Sequence, residues 1–178
     1  MSNMHHFRNT GDKTFKAFPG GNFFKANASN FPALAGLAVQ GLDLAPGAVR
    51  EPHSHPNANQ LDYCISGRGV VGIVGPEGET HYLELEAGDI SFVPQGFLHW
   101  IENRGDEPLS FLVVLSHEQP LTVELSEMLA GVPNETLAKM YEVSPSVFER
   151  IPAKTVVIGG GGQAVIADEP RYAMVAAE

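Results

Sequence analysis

From Phe15 to Leu115 the chain meets a glycine- or proline-bearing turn roughly every eight to twelve residues, which leaves room for short strands and little else. The strand candidates are Leu37–Leu44, Gln60–Ser66, Arg68–Val74, Thr80–Leu85, Ile90–Val93, Phe97–Glu102 and Leu109–Leu115. The breaks between them read Ala45-Pro46-Gly47, Gly75-Pro76-Glu77-Gly78, Pro94-Gln95-Gly96 and Gly105-Asp106. Thirteen prolines and nineteen glycines in 178 residues suit such a pattern better than a helical bundle. The expectation is an all-β sandwich or barrel.

After Pro120 the texture changes. Short helices are expected from about Thr122 to Arg150, with Thr122 or Ser126 as possible caps, Asn134 as an N-cap, and Ser144-Pro145 opening a third turn. A brief strand at Val156–Ile158 and a four-glycine joint follow. The chain therefore divides into an arm (1–14), a barrel (15–118), a helical appendage with a short strand (119–158), and the joint and tail (159–178). No internal repeat splits it into two barrels. The tail carries Val165, Ile166, Tyr172, Met174 and Val175, apolar material that needs a surface to cover, so a homodimer is expected.

The bulk properties exclude several classes. One chain of this length can bury a core without disulfides, and Cys64 is its only cysteine. A formal charge of −10 disfavours nucleic acid and anionic membrane as partners. No run approaches the ~18 apolar residues of a membrane span. Met1 to Lys13 is polar and lacks an apolar leader core, so a cytoplasmic protein is expected.

The chemistry lies in the histidines. His53 and His55 stand at i and i+2, so on an extended segment they point to one side. His99, on a distant strand, can close a three-nitrogen face around one metal ion. Gln60, Asp62 and Cys64 share a strand face, which makes Gln60 a candidate oxygen ligand and Asp62 the nearest inward carboxylate. Gln60 offers a neutral carbonyl oxygen, so Gln60→Glu is expected to tighten metal binding. His5-His6 reads as a floppy terminal pair rather than a ligand pair, and His81 and His117 as solvated or capping side chains.

The frames around these residues are Gly47-x5-His53-x-His55-x4-Gln60-x6-Gly67 and Gly88-x5-Pro94-x-Gly96-x2-His99-x3-Asn103. Both resemble the paired motifs of the cupin superfamily, except that the family usually has glutamate where this chain has Gln60. The stretch Leu42-x-Leu44-Ala45-Pro46-Gly47-Ala48-x-Arg50-Glu51-x-His53-x-His55 is similar to the oxalate decarboxylase and germin-like branch, as are Ile65-Ser66-Gly67-Arg68 and His99-Trp100-Ile101-Glu102-Asn103. The resemblance implies a jelly-roll barrel, a double-stranded β-helix, holding one divalent ion, with Mn or Fe preferred over Ni or Zn. It implies His53, His55, Gln60 and His99 as ligands. It also implies that Arg50, three residues before the first ligand histidine, grips a small carboxylate as in oxalate decarboxylases. Those enzymes carry a glutamate on a polar lid. The corresponding stretch here is Ser116-His117-Glu118-Gln119-Pro120, which makes Glu118 the candidate proton donor beside Arg50 and Asp62. Three functions follow: an oxalate decarboxylase-like enzyme for a small carboxylate, a three-histidine dioxygenase, and a non-catalytic binding protein.

Overall fold

The computed structural model describes residues 6–7, 15–151 and 154–160. The tail residues Val165 to Val175, expected to cover a second surface, lie outside the described residues, as does most of the arm. The chain forms two antiparallel sheets. The first runs in the order β1 (Phe15–Phe18), β2 (Gly21–Ala26), β3 (Ala38–Leu44), β10 (Leu109–Leu115), β5 (Gln60–Ser66), β8 (Ile90–Val93). The second runs β11 (Val123–Glu124), β4 (Val49–Ser54), β9 (Leu98–Glu102), β6 (Arg68–Val74), β7 (Thr80–Glu86), while β12 (Ile158–Gly159) also pairs with β4. Chain neighbours such as β3, β4 and β5 alternate between the sheets. This is the jelly-roll barrel that the turn cadence and the motif frames lead one to expect.

Period-two patterning builds the core. Strands β3 and β10 alternate buried and half-buried along their whole length. Leu42, Leu44, Phe111, Val113 and Leu115 point inward from the first sheet and meet Val71, Ile73 and Ile101 from the second. Gly72 matters because it lies opposite Trp100 in the β6–β9 ladder. A Cβ there would stand 2.2 Å from the indole ring, so only glycine lets the ring lie flat on the strand beside His99.

Strand β5 inverts the usual pattern. Its inward residues are Gln60, Asp62 and Cys64, all buried; its outward residues Leu61, Tyr63 and Ile65 are exposed. Ile90 and Phe92 of the neighbouring edge strand β8 are exposed beside them. A polar interior on one strand marks where the barrel gives up apolar packing for chemistry.

Two helices follow, α1 (Leu125–Ala130) and α2 (Asn134–Tyr141), then a 3₁₀ turn at Pro145–Arg150. Ser144 caps that turn by accepting from the Ser146 amide, as its position before Pro145 suggests. The two other expected caps differ. Asn134 is the first helical residue, with Pro133 before it and no side-chain cap. Ser126 lies inside α1, and its amide and hydroxyl both donate to the Glu51 carboxylate, at 3.0 Å each. A carboxylate from the barrel thus satisfies an orphan donor of the helix start and ties the appendage to β4. No helix among the described residues is long and apolar enough to cross a membrane.

Candidate metal centre

His53 lies on β4 directly opposite His99 on β9, and their ring centroids are 4.1 Å apart. His55 follows β4 by one residue, its ring 5.1 Å from His53 and 5.4 Å from His99. One ligand nitrogen from each of the three buried rings lies within 4.8 Å of the others. The ladder slips between Arg50 and His53, where three steps on β4 match two on β9. Without that bulge Arg50 and His53 would face opposite ways, being an odd number of residues apart. With it, both line the same cavity. Pro52 sits in the bulge, where its missing N–H breaks no ladder bond.

Each imidazole is anchored by its Nδ1. His53 reaches the Glu51 carbonyl at 2.8 Å, His55 the Leu121 carbonyl at 2.8 Å, and His99 the Phe97 carbonyl at 3.1 Å. A carbonyl only accepts, so Nδ1 of His53 and of His55 carries the proton and their Nε2 atoms are left as bare lone pairs, while His99 faces a carbonyl oxygen at each ring nitrogen. Burial disfavours a second proton. It holds His53 well below the ordinary histidine range, lowers His55, and pushes His99 down to about 3. Three neutral donors therefore converge. His55 Nε2 is buried without any hydrogen-bond partner, the single such side-chain atom among the described residues. Nε2 of His99 stands 3.1 Å from Gln60 Oε1. A neutral His99 has one N–H for two carbonyl oxygens, so one contact sets acceptor against acceptor. A cation at the Nε2 atoms would relieve both defects, and the donor set fits a divalent transition ion.

Gln60, at the start of β5, turns its amide N–H₂ to Asp62 Oδ1 at 2.8 Å, and Ser91 donates to Asp62 Oδ2 at 2.9 Å. Gln60 Oε1 consequently faces the histidines. Asp62 is fully buried, and desolvation raises its carboxyl to about 7 against the smaller lowering effect of those two donors. Sequence reasoning missed Ser91, although its inward parity on β8 places it opposite Asp62.

Arg50 is buried and forms a bidentate pair with Glu124: Nη1 donates to Oε2 and Nη2 to Oε1, each at 2.7 Å. Nη1 also donates to the Val157 carbonyl at 3.1 Å. Arg50 pairs with Glu124 of β11 and not with its chain neighbour Glu51, whose carboxylate is filled by Ser126 and the Val156 and Val157 amides. Among the described residues Nε–H of Arg50 has no partner. Burial raises the Glu124 carboxyl, and the guanidinium works against that shift. Neither Glu124 nor Glu51 carries a local sequence signal for these roles. Glu118 lies elsewhere: it is exposed, its carboxylate accepts the Gly36 amide at 3.0 Å, and it does not line the cavity.

The space beside His53 is small. A cavity of about 10 Å³ is bounded by Arg50, His53, Gln60 and Gln40, with Leu42 and Ile101 as apolar walls. That holds about one water molecule.

The cupin family profile matches residues 8–149. Oxalate decarboxylase OxdC of Bacillus subtilis is 35% identical over 122 residues, 68% of this chain and 31% of that protein. Germin-like protein 3-8 of Oryza sativa subsp. japonica is 32% identical over 141 residues, 76% of this chain and 63% of that protein. The chain thus spans under two thirds of either relative. A solved structure of Bacillus subtilis oxalate decarboxylase, concerned with its Mn(II) centres, aligns with a TM-score of 0.79 at 27% identity, over 83% of this chain and 39% of that one.

Proposed function

The chain belongs to the cupin family, and we propose that it is a metal-dependent enzyme acting on a small carboxylate, with oxalate decarboxylase-like C–C cleavage as its reaction. The observation that carries this reading is Arg50, which lines the same small cavity as His53 and Gln60. Glu124 holds the end-on face of the guanidinium, so a ligand carboxylate would take the remaining Nε–Nη2 edge. Leu42 and Ile101 form apolar walls beside it, and a less polar surrounding strengthens such a contact. A cavity with room for about one water must open to admit even hydrogen oxalate, which disfavours larger acids further, and the conversion of hydrogen oxalate to formate and carbon dioxide balances without an added oxidant. His53, His55 and His99 would hold the ion, with Gln60 as a possible fourth, oxygen ligand. A divalent ion, Mn or Fe before Ni or Zn, would supply a Lewis acid next to the carboxylate, and Mn or Fe a redox-active centre as well.

One observation favours a second reading. Glu118 does not line the cavity, so the lid acid that the resemblance implies has no counterpart there. A three-histidine dioxygenase acting on another small substrate needs no such acid. Protein loaded with Mn(II) or Fe(II) and assayed with oxalate and a panel of small organic acids separates the two. Formate and carbon dioxide in equal amounts without net oxygen uptake support the first reading; stoichiometric oxygen uptake with another acid supports the second. The homodimer expected from sequence remains part of this proposal, and the exposed Leu61, Tyr63, Ile65, Ile90 and Phe92 supply apolar side chains for it.

A further inference from the structure

We infer that Gln60 and Asp62 work as one unit, a two-residue stand-in for a carboxylate ligand, in which Asp62 positions and charges the Gln60 oxygen that faces the three imidazoles. The inference rests on the metal-site reading above.

Four observations carry it. Asp62 is 0% exposed and accepts from two neutral donors, Gln60 Nε2 and Ser91 Oγ. The ion pairs among the described residues are Arg50–Glu124 and Arg104–Glu102, so Asp62 has no cationic partner there. A buried carboxylate without a cation is costly, and the nearby histidine nitrogens are where a cation would lie. Next, the pair fixes the amide. Both Asp62 oxygens accept, Oδ1 from Gln60 Nε2 at 2.8 Å and Oδ2 from Ser91 Oγ at 2.9 Å, and with its N–H₂ held there Gln60 turns Oε1 to His99 at 3.1 Å. Strand geometry then makes the pairing stable, since residues 60 and 62 share the inward face of β5. Last, an amide whose N–H donates to a carboxylate is polarised toward its oxygen. Three neutral imidazoles alone would leave a divalent ion's charge unbalanced in a buried site; a carboxylate one amide away offsets part of it.

Asp62 is thus a positioning residue, and exchanging the two groups tests it. Asp62→Asn removes the charge and leaves the Gln60 amide free to turn its N–H₂ inward. The double variant Gln60→Glu/Asp62→Asn keeps one carboxylate and one amide in swapped order. Gln60→Glu alone would set two carboxylates against each other, which is why the exchange is paired. Co(II) and Mn(II) affinity is measured by chelator competition, with the visible Co(II) spectrum as the second readout, and His99→Ala as the control for the site itself. Asp62→Asn should weaken binding by about 10–100-fold, the usual effect of losing a group that orients a ligand, and shift the Co(II) bands. The double variant should return to within a few-fold of wild type. Wild-type affinity and spectrum in Asp62→Asn, with binding lost in His99→Ala, would overturn the unit while leaving the metal site standing. Weak binding in both Asp62→Asn and the double variant would also overturn it, by making Asp62 a fold residue only. Undiminished binding in His99→Ala would remove the metal-site reading and this one with it.

Discussion

Arg50 and Glu124, seventy-four residues apart in the chain, are locked face to face by two hydrogen bonds of 2.7 Å in a buried setting. That pair joins the barrel wall at β4 to the start of the appendage at β11, and it holds a guanidinium at the edge of the candidate site. Cutting one side leaves the other charge buried and alone. Glu124→Ala should therefore cost about 3–5 kcal/mol of folding stability, measured by denaturant unfolding. A loss below about 1 kcal/mol would mean that the pair is in effect solvated.

The same geometry predicts the behaviour of ligand binding. Arg50→Lys keeps the charge and loses the fork, so oxalate affinity of the metal-loaded protein should fall about tenfold, by roughly one hydrogen bond to a charged group. Arg50→Ala should abolish measurable binding. Calorimetric titration of all three proteins checks this; equal dissociation constants would assign Arg50 to the fold alone.

Acid should destabilise the metal-free protein in a defined window. His53, His55 and His99 have folded values lowered by burial, His99 to about 3, against an ordinary value of 6.5. Below 6.5 the unfolded chain takes up protons that the folded chain refuses, so stability present above 6.5 is lost as pH falls toward 3. Asp62 acts in the opposite direction: its value, raised to about 7, favours the fold at low pH and costs stability as pH rises from 3.8 toward 7. The Glu124 carboxyl, raised by burial, acts in the same direction as Asp62; three histidines against these two carboxyls decide the sign, and the melting temperature without metal should fall steadily from pH 6.5 to 4.5. Saturating divalent ion should blunt the fall near neutrality, because it holds the Nε2 atoms against protonation. A flat profile without metal would show that the rings are not buried neutral.

Assembly is tested by the outward face of β5 and β8. Tyr63→Lys/Phe92→Lys sets two charges into the exposed apolar face without touching the inward side chains. Light scattering should give a two-chain mass for the full chain and a one-chain mass for this variant. A monomeric full chain would end the dimer proposal, and an unchanged dimer would move the interface to the appendage or the tail.

Much of this was legible in the sequence because it depends on local rules. Turn residues delimited the strands, and period two put His53 with His55 and Gln60 with Asp62. The rest depends on where the ladder slips and on contacts between distant segments. Arg50 shares a cavity with His53 only because two residues of β4 bulge at Pro52, and a slip of one residue reverses every facing. Glu124 was missed because its partner lies far along the chain and its segment forms only a two-residue strand. Asn134 resembled a cap by type, yet Pro133 takes the position before the helix. Glu118 matched the lid by order along the chain, while its loop folds toward Gly36.

The central claim is that His53, His55 and His99 hold one divalent ion. The most direct test is elemental analysis of the purified full chain after Mn(II) loading and desalting, beside His53→Ala and His99→Ala. One ion per wild-type chain and less than a tenth of that in either variant is the predicted result. A wild-type chain without stoichiometric metal, or a His99→Ala chain that keeps it, would contradict the account.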